Sequence, residues 1–185
     1  MAIAFGQTQR IMKLYFTIFL LLNFKVYGQA PLDIKSYLDN KQVSKTAWDF
    51  YYGKFKATDD NKTFSILDSL DTKNNLTRPF YIYLVSKILD KADGALSEYL
   101  GISCKEFIES HPDFLIDFLY SKSNIVDKRF LGNWANEIAG EFIIDCEGKE
   151  KQCIKKSLQK VSINVKLDNK SKLTAFYNTI ESYCH

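Results

Sequence analysis

Apolar side chains recur at three- and four-residue intervals along most of this chain, and that period restricts the fold to packed helices. Phe80, Tyr83, Leu84 and Ile88 form one stripe, with Lys87 and Lys91 lying on it, just after Arg78-Pro79. A proline is tolerated in a first helical turn, so the segment reads as a helix start. Trp48, Tyr51, Tyr52 and Phe55 show the same spacing, and Phe64, Leu67 and Leu70 follow a polar break from Asp59 to Thr63. Gly94 and Gly101 mark breaks, after which Ser103 and Glu106 fit a capping box. Ser110-His111-Pro112-Asp113 fits another start. Further helices are predicted over Asp127 to Asp145, Lys149 to about Leu167, and Ser171 to Tyr183.

One segment carries two patterns. Val161 to Leu167 alternates as a strand does, yet Ile154, Leu158, Val161 and Val165 also form a helical stripe, and a lone strand lacks a partner. Helix is the favoured reading. Phe80, Ile82 and Val85 echo Phe114, Ile116 and Leu119 at an offset of 34, the kind of period that stacked helical hairpins show. The expected fold is therefore all-α: a single domain of seven or eight short helices, arranged as an irregular bundle or as a HEAT- or TPR-like stack, stapled by disulfides.

The first residues belong to a different kind of segment. Leu14 to Phe24 is an apolar run preceded by Arg10 and Lys13, with no acidic residue, which is the layout of a secretory signal. Bounded by Lys13 and Lys25, it falls short of the roughly 20 apolar residues that span a bilayer. Val26-Tyr27-Gly28 offers a small residue at the cut, so residues 1–28 are expected to leave and residues 29–185 to form the domain, starting at Gln29. A secreted or periplasmic location without a transmembrane anchor follows. Arg10, Lys13 and Lys25 leave with the leader, so 25 basic residues become 22 and balance the 22 acidic ones. The basic bias disappears, and with it the electrostatic case for nucleic-acid binding.

Four cysteines, Cys104, Cys146, Cys153 and Cys184, lie in the exported part, an even number that predicts two disulfides. Three pairings are possible. A polar turn from Glu147 to Gln152 favours Cys146 with Cys153, which leaves Cys104 for Cys184. None of them forms a Cys-x-x-Cys pair, and His111 and His185 are the only histidines, so neither a zinc site nor any other metal or cofactor is expected.

Chemistry-bearing constellations are few. Glu137, Glu141 and Asp145 lie four apart and would line one helix face, the raw material of acid-base or metal-assisted hydrolysis, though Trp134, Ile138 and Phe142 mark the opposite face as the buried one. His111 sits in sequence among Glu106, Glu109, Asp113 and Asp117, a setting that raises basicity, while its place before Pro112 fits a turn or cap. Asn61, Asn75 and Asn169 head glycosylation triplets, which matter only in a eukaryotic secretory route; the short leader with Gln at the cut resembles bacterial export signals.

The aromatics are more suggestive. Trp48, Phe50, Tyr51, Tyr52 and Phe55 are too dense for all to face one stripe, and Tyr81 and Tyr83 pose the same problem. Rigid aromatics with polar tips make interface anchors, so Trp48, Phe50, Tyr52, Tyr81 and Tyr83 are the candidate interface residues. The function these features favour is a non-catalytic module that binds another protein, with an immunity- or inhibitor-type role as one concrete form. The alternatives are a small envelope hydrolase using Glu137, Glu141 and Asp145, or a structural envelope component.

Overall fold

The computed structural model describes residues 33–71, 74–92 and 94–184, and among these the chain forms nine α-helices, two short 3₁₀ turns and no strand. The helices are α1 (Ile34–Leu38), α2 (Lys45–Tyr51), α3 (Asn61–Asp68), α4 (Arg78–Leu89), α5 (Gly94–Ser110), α6 (Pro112–Leu119), α7 (Lys128–Cys146), α8 (Glu150–Ser162) and α9 (Lys170–Ser182). The 3₁₀ turns are Ser69–Asp71 and Leu167–Asn169. The expected leader and its cleavage point lie outside the described residues. No helix among the described residues is long and apolar enough to cross a membrane.

Local chemistry sets many of the boundaries. Asp33, Ser44, Asp60 and Asp127 accept hydrogen bonds from the amides of Lys35, Ala47, Thr63 and Arg129 at 2.8 to 3.1 Å, which starts α1, α2, α3 and α7. Pro79 and Pro112 occupy the first turns of α4 and α6. Two expectations fail here. Gly101 does not break the chain and Ser103 caps nothing, because α5 runs through both. A Cβ on Gly101 would lie 3.3 Å from the Glu137 carbonyl oxygen, so this glycine admits a close approach of α7. Also, α8 stops at Ser162 instead of continuing to Leu167. Val165 turns into the core while Ile163 and Leu167 are exposed, so neither the helix nor the strand pattern is realised beyond Ser162.

Side-chain pairs across the helices define their directions. Trp134 Nε1 donates to Ser86 Oγ at 2.8 Å and Arg129 pairs with Asp90 at 2.8 Å, so α7 runs antiparallel to α4. Ser97 meets Glu137 and Lys105 meets Asp145, so α5 and α7 run parallel. The Ser157 hydroxyl lies 2.9 Å from the Tyr177 hydroxyl and Lys151 pairs with Glu181, making α8 and α9 antiparallel.

Helix α7 packs against α4, α5, α8 and α9. Its Phe130, Trp134, Ala135, Ile138, Ala139 and Phe142 are buried, but the carboxylate stripe is not on the opposite face as expected: it borders the buried face along α5, and Asn136, Ile143 and Ile144 face outward. Because α8 also reaches α5, and α9 also reaches α6, the helices close around α7 as an irregular bundle; in a linear stack each unit meets only its neighbours. Helix α4 is buried on almost every side, including Phe80, Ile82, Leu84, Val85 and Ile88. Only Tyr83, Lys87 and Pro79 on it are partly open.

Cys146 and Cys153 are bonded, with 6.5 Å between their Cα atoms, and staple the turn between α7 and α8 as expected. The second expected bridge is absent: Cys104 and Cys184 are free thiols. Cys104 is fully buried on α5, whereas α9 docks on α7 and α8 and holds the Cys184 sulfur 3.9 Å from the Ala139 carbonyl oxygen on α7. Burial pushes both thiols above their ordinary range.

Candidate functional site

The site begins at the end of α2. Gly53 adopts φ +69°, its amide donates to the Phe50 carbonyl at 2.9 Å, and the Lys54 amide donates to the Asp49 carbonyl at 2.9 Å. That is a Schellman closure, which needs a residue in left-handed conformation where glycine carries no penalty. The Lys54 ammonium then pairs with the Asp49 carboxylate at 2.8 Å, and Lys45 joins it from one turn earlier. The reversal brings Phe55 back onto Phe50, ring centroids 5.6 Å apart.

The connection from Gly53 to Ala57 therefore stands off the one open strip of α4, and a cleft of about 640 Å³ lies between them. Phe50 and Tyr51 of α2 form one wall, with Phe55, Lys56 and Ala57 of the connection. Tyr83, Leu84, Lys87 and Ile88 of α4, with Lys91 in the turn just after it, form the floor and far rim. Leu84 and Ile88 are each 1 % exposed, so the floor is closed by the core and no channel continues into the bundle. The Tyr83 ring is wedged between Tyr51 and Phe130, with centroids 6.4 Å from each. Burial holds its phenol proton beyond the usual range, aided by Tyr51, so the hydroxyl stays neutral.

Three lysines, Lys56, Lys87 and Lys91, face this aromatic lining, and no Asp or Glu lines it. None of the three takes part in an ion pair among the described residues. The nearest acidic groups on that side are already engaged, since Arg129 bridges Asp90 and Asp127 at 2.8 Å each. Hydrogen bonds from Arg129 hold the Asp127 carboxyl down at about 2. The lining combines apolar and aromatic contact surface with positive charge, and Lys87 also feels the Asp127 carboxylate.

Of the five interface residues read from the sequence, the cleft uses Phe50 and Tyr83. Trp48 and Tyr52 pack on each other outside it, centroids 5.6 Å apart, with Tyr52 more than half exposed. Tyr81 does not face a partner at all. It is buried, and its hydroxyl accepts a hydrogen bond from the Ser44 amide at 3.1 Å, which fixes the entry to α2. Sequence reasoning missed Phe55, Lys56, Lys87 and Lys91 as members of a site. The signal was two lysines on the same helical stripe as Tyr83, Leu84 and Ile88.

The other constellations resolve differently. Glu137, Glu141 and Asp145 lie along the α5–α7 seam. The Ser97 hydroxyl donates to Glu137 at 3.5 Å, Glu141 lies beside Gly101, and Asp145 pairs with Lys105, whose ammonium also stands 5.1 Å from the Phe142 ring centre. Burial raises the Glu137 carboxyl, and burial with Asp145 nearby raises that of Glu141. Among the described residues no group of three or more His, Cys, Asp or Glu side chains is arranged to hold a metal ion.

His111 lies between Phe107 and Phe114, with Nε2 3.4 Å from Asp71. Burial and then the nearby Arg78 lower its basicity, against a smaller opposite pull from Asp71. The sequence setting suggested a rise. It reverses because the acidic neighbours in sequence are turned to other partners: Glu109 to Ser157 and Lys160, Asp113 and Asp117 to Asn169 and Lys166. Asn169 is 2 % exposed and donates to both aspartates at 2.8 Å, so this glycosylation triplet is inaccessible in the folded protein.

No protein-family model, no curated protein and no solved structure matches this chain.

Proposed function

We propose that this chain is a non-catalytic binding module that works outside the cytoplasm and recognises another protein through the cleft between α2 and α4. An immunity- or inhibitor-type role is the concrete form of that proposal. The observation that carries it is the composition of the cleft: four aromatic rings and three lysines on a closed apolar floor. Its size falls within the roughly 300–1,000 Å³ of ordinary recognition pockets. Rigid aromatic side chains lose little conformational freedom on binding and serve as anchors. The export-type leader and the disulfide both suit an oxidising compartment.

The test is capture of a stoichiometric partner from envelope extracts by the immobilised protein, repeated with Lys87→Glu combined with Lys91→Glu. Both side chains are free of ion pairs, so the variant is expected to keep the native circular dichroism spectrum. Capture by the unaltered protein and its loss in the variant support the proposal. A protein that captures nothing, or a variant that captures equally well, overturns it.

A further inference from the structure

We infer that the cleft takes an acidic segment of the partner protein, with one apolar side chain seated among Phe50, Phe55 and Tyr83 and flanking carboxylates over Lys56, Lys87 and Lys91. The inference rests on the proposal that the cleft is a protein-binding site and specifies what the partner must present.

Charge is the first argument. Lys56 stands on one wall, Lys87 and Lys91 on the other, and no acidic residue lines the space between them. Some lysines elsewhere on this surface are neutralised locally, Lys45 and Lys54 by Asp49, Lys105 by Asp145, Lys160 by Glu109; what distinguishes the cleft is that its three lysines share one apolar lining. Three cations left together beside apolar surface repel one another, and an anionic partner relieves that repulsion. Even Lys62, on α3, leans over the outer side of Phe55, 5.5 Å from the ring centre, which adds to the positive field.

Geometry argues for a peptide over a lipid-like anion. Lys87 lies in the last turn of α4 and Lys91 in the turn that follows, and Lys56 lies across the gap. Positive charge spread over two walls matches several carboxylates in a chain better than the single head group of a fatty anion. The closed floor at Leu84 and Ile88 gives a long acyl chain no tunnel to enter, whereas one aromatic or branched side chain needs no more than a shallow seat.

The test is selection of a random peptide library displayed on phage against the intact protein. Enriched peptides are expected to carry Phe, Trp, Leu or Ile with at least two Asp or Glu nearby. Synthetic copies should bind about tenfold more weakly to a Lys56→Gln, Lys87→Gln, Lys91→Gln variant and to Phe55→Ala. They should also weaken as salt rises from about 0.05 to about 0.5 M, since exposed ion pairs are screened.

Peptides without acidic excess, or with affinity unchanged in the triple lysine variant, overturn the acidic requirement; if they still depend on Phe55, the cleft stands as the binding site. Failure to enrich any peptide, with dodecanoate displacing a bound anilinonaphthalene sulfonate probe from the unaltered protein, overturns the inference in favour of a small amphiphilic anion. Failure of both the peptides and dodecanoate also overturns it. The separate capture experiment then decides whether the binding proposal itself survives.

Discussion

Glu137 shows how far the fold changes the chemistry of a single residue. In sequence it is one of three carboxylates on a polar helix face. In the structure α5 covers it, and its charged form is disfavoured by burial. The folded state therefore holds the Glu137 proton to higher pH than the unfolded chain does, and stability declines as pH rises from the unfolded carboxylate range through the raised folded value. Glu137→Gln removes that titration while keeping the shape. The variant is expected to melt at a higher temperature than the unaltered protein at pH 7, with the difference vanishing below about pH 3, where Glu137 is protonated in both the folded and unfolded states. Equal melting temperatures at pH 7 would show that the buried charge is harmless. Glu109 behaves in the opposite way: burial pushes its carboxyl up, but hydrogen bonds from Lys160 and Ser157 outweigh that and hold it down. Both glutamates are legible in the sequence as polar helix residues. Their opposite shifts depend on which distant residues face them.

At the scale of elements, the helices themselves were largely readable. Side-chain caps at Ser44, Asp60 and Asp127 and the prolines near α4 and α6 act within a few residues, so the local sequence carries them. Gly101 was misread because a glycine inside a helix costs about 1 kcal/mol relative to alanine, which makes it look like a break. Here the cost is offset by the parallel crossing of α5 and α7, where a side chain would crowd the Glu137 carbonyl oxygen at 3.3 Å. Gly101→Val is expected to lower stability by about 1–3 kcal/mol in urea unfolding, the usual range for overpacking. A smaller effect would mean that the backbone of α7 at Glu137 moves away readily. The end of α8 was misread for a related reason. Asn169 and Lys166 are held by Asp113 and Asp117, more than forty residues earlier. No local periodicity contains that contact.

For the whole molecule, the closed packing around α7 makes the Cys146–Cys153 bridge a local staple. It links two helices already joined by a short turn, and the core continues without it. Replacing both cysteines by serine is expected to cost about 2.5 kcal/mol, the entropy of a short loop, while leaving the helical circular dichroism spectrum intact at 25 °C. Collapse of that spectrum would show that the bridge holds the fold. Even a domain at the low end of the usual range of about 5–15 kcal/mol keeps about half its stability after such a loss, so the helical spectrum survives.

The sequence by itself determined the all-α class, most helix starts and the short disulfide, because spacing, caps and turns act over a few residues. Only the tertiary structure decided that Cys104 and Cys184 stay unbonded, that Tyr81 turns inward, and that the helices close into a bundle. It also made the cleft. Phe50, Phe55 and Lys56 meet Tyr83, Lys87 and Lys91 only after the chain reverses at Gly53 and α4 is enclosed on its other sides, which depends on contacts between residues about thirty apart.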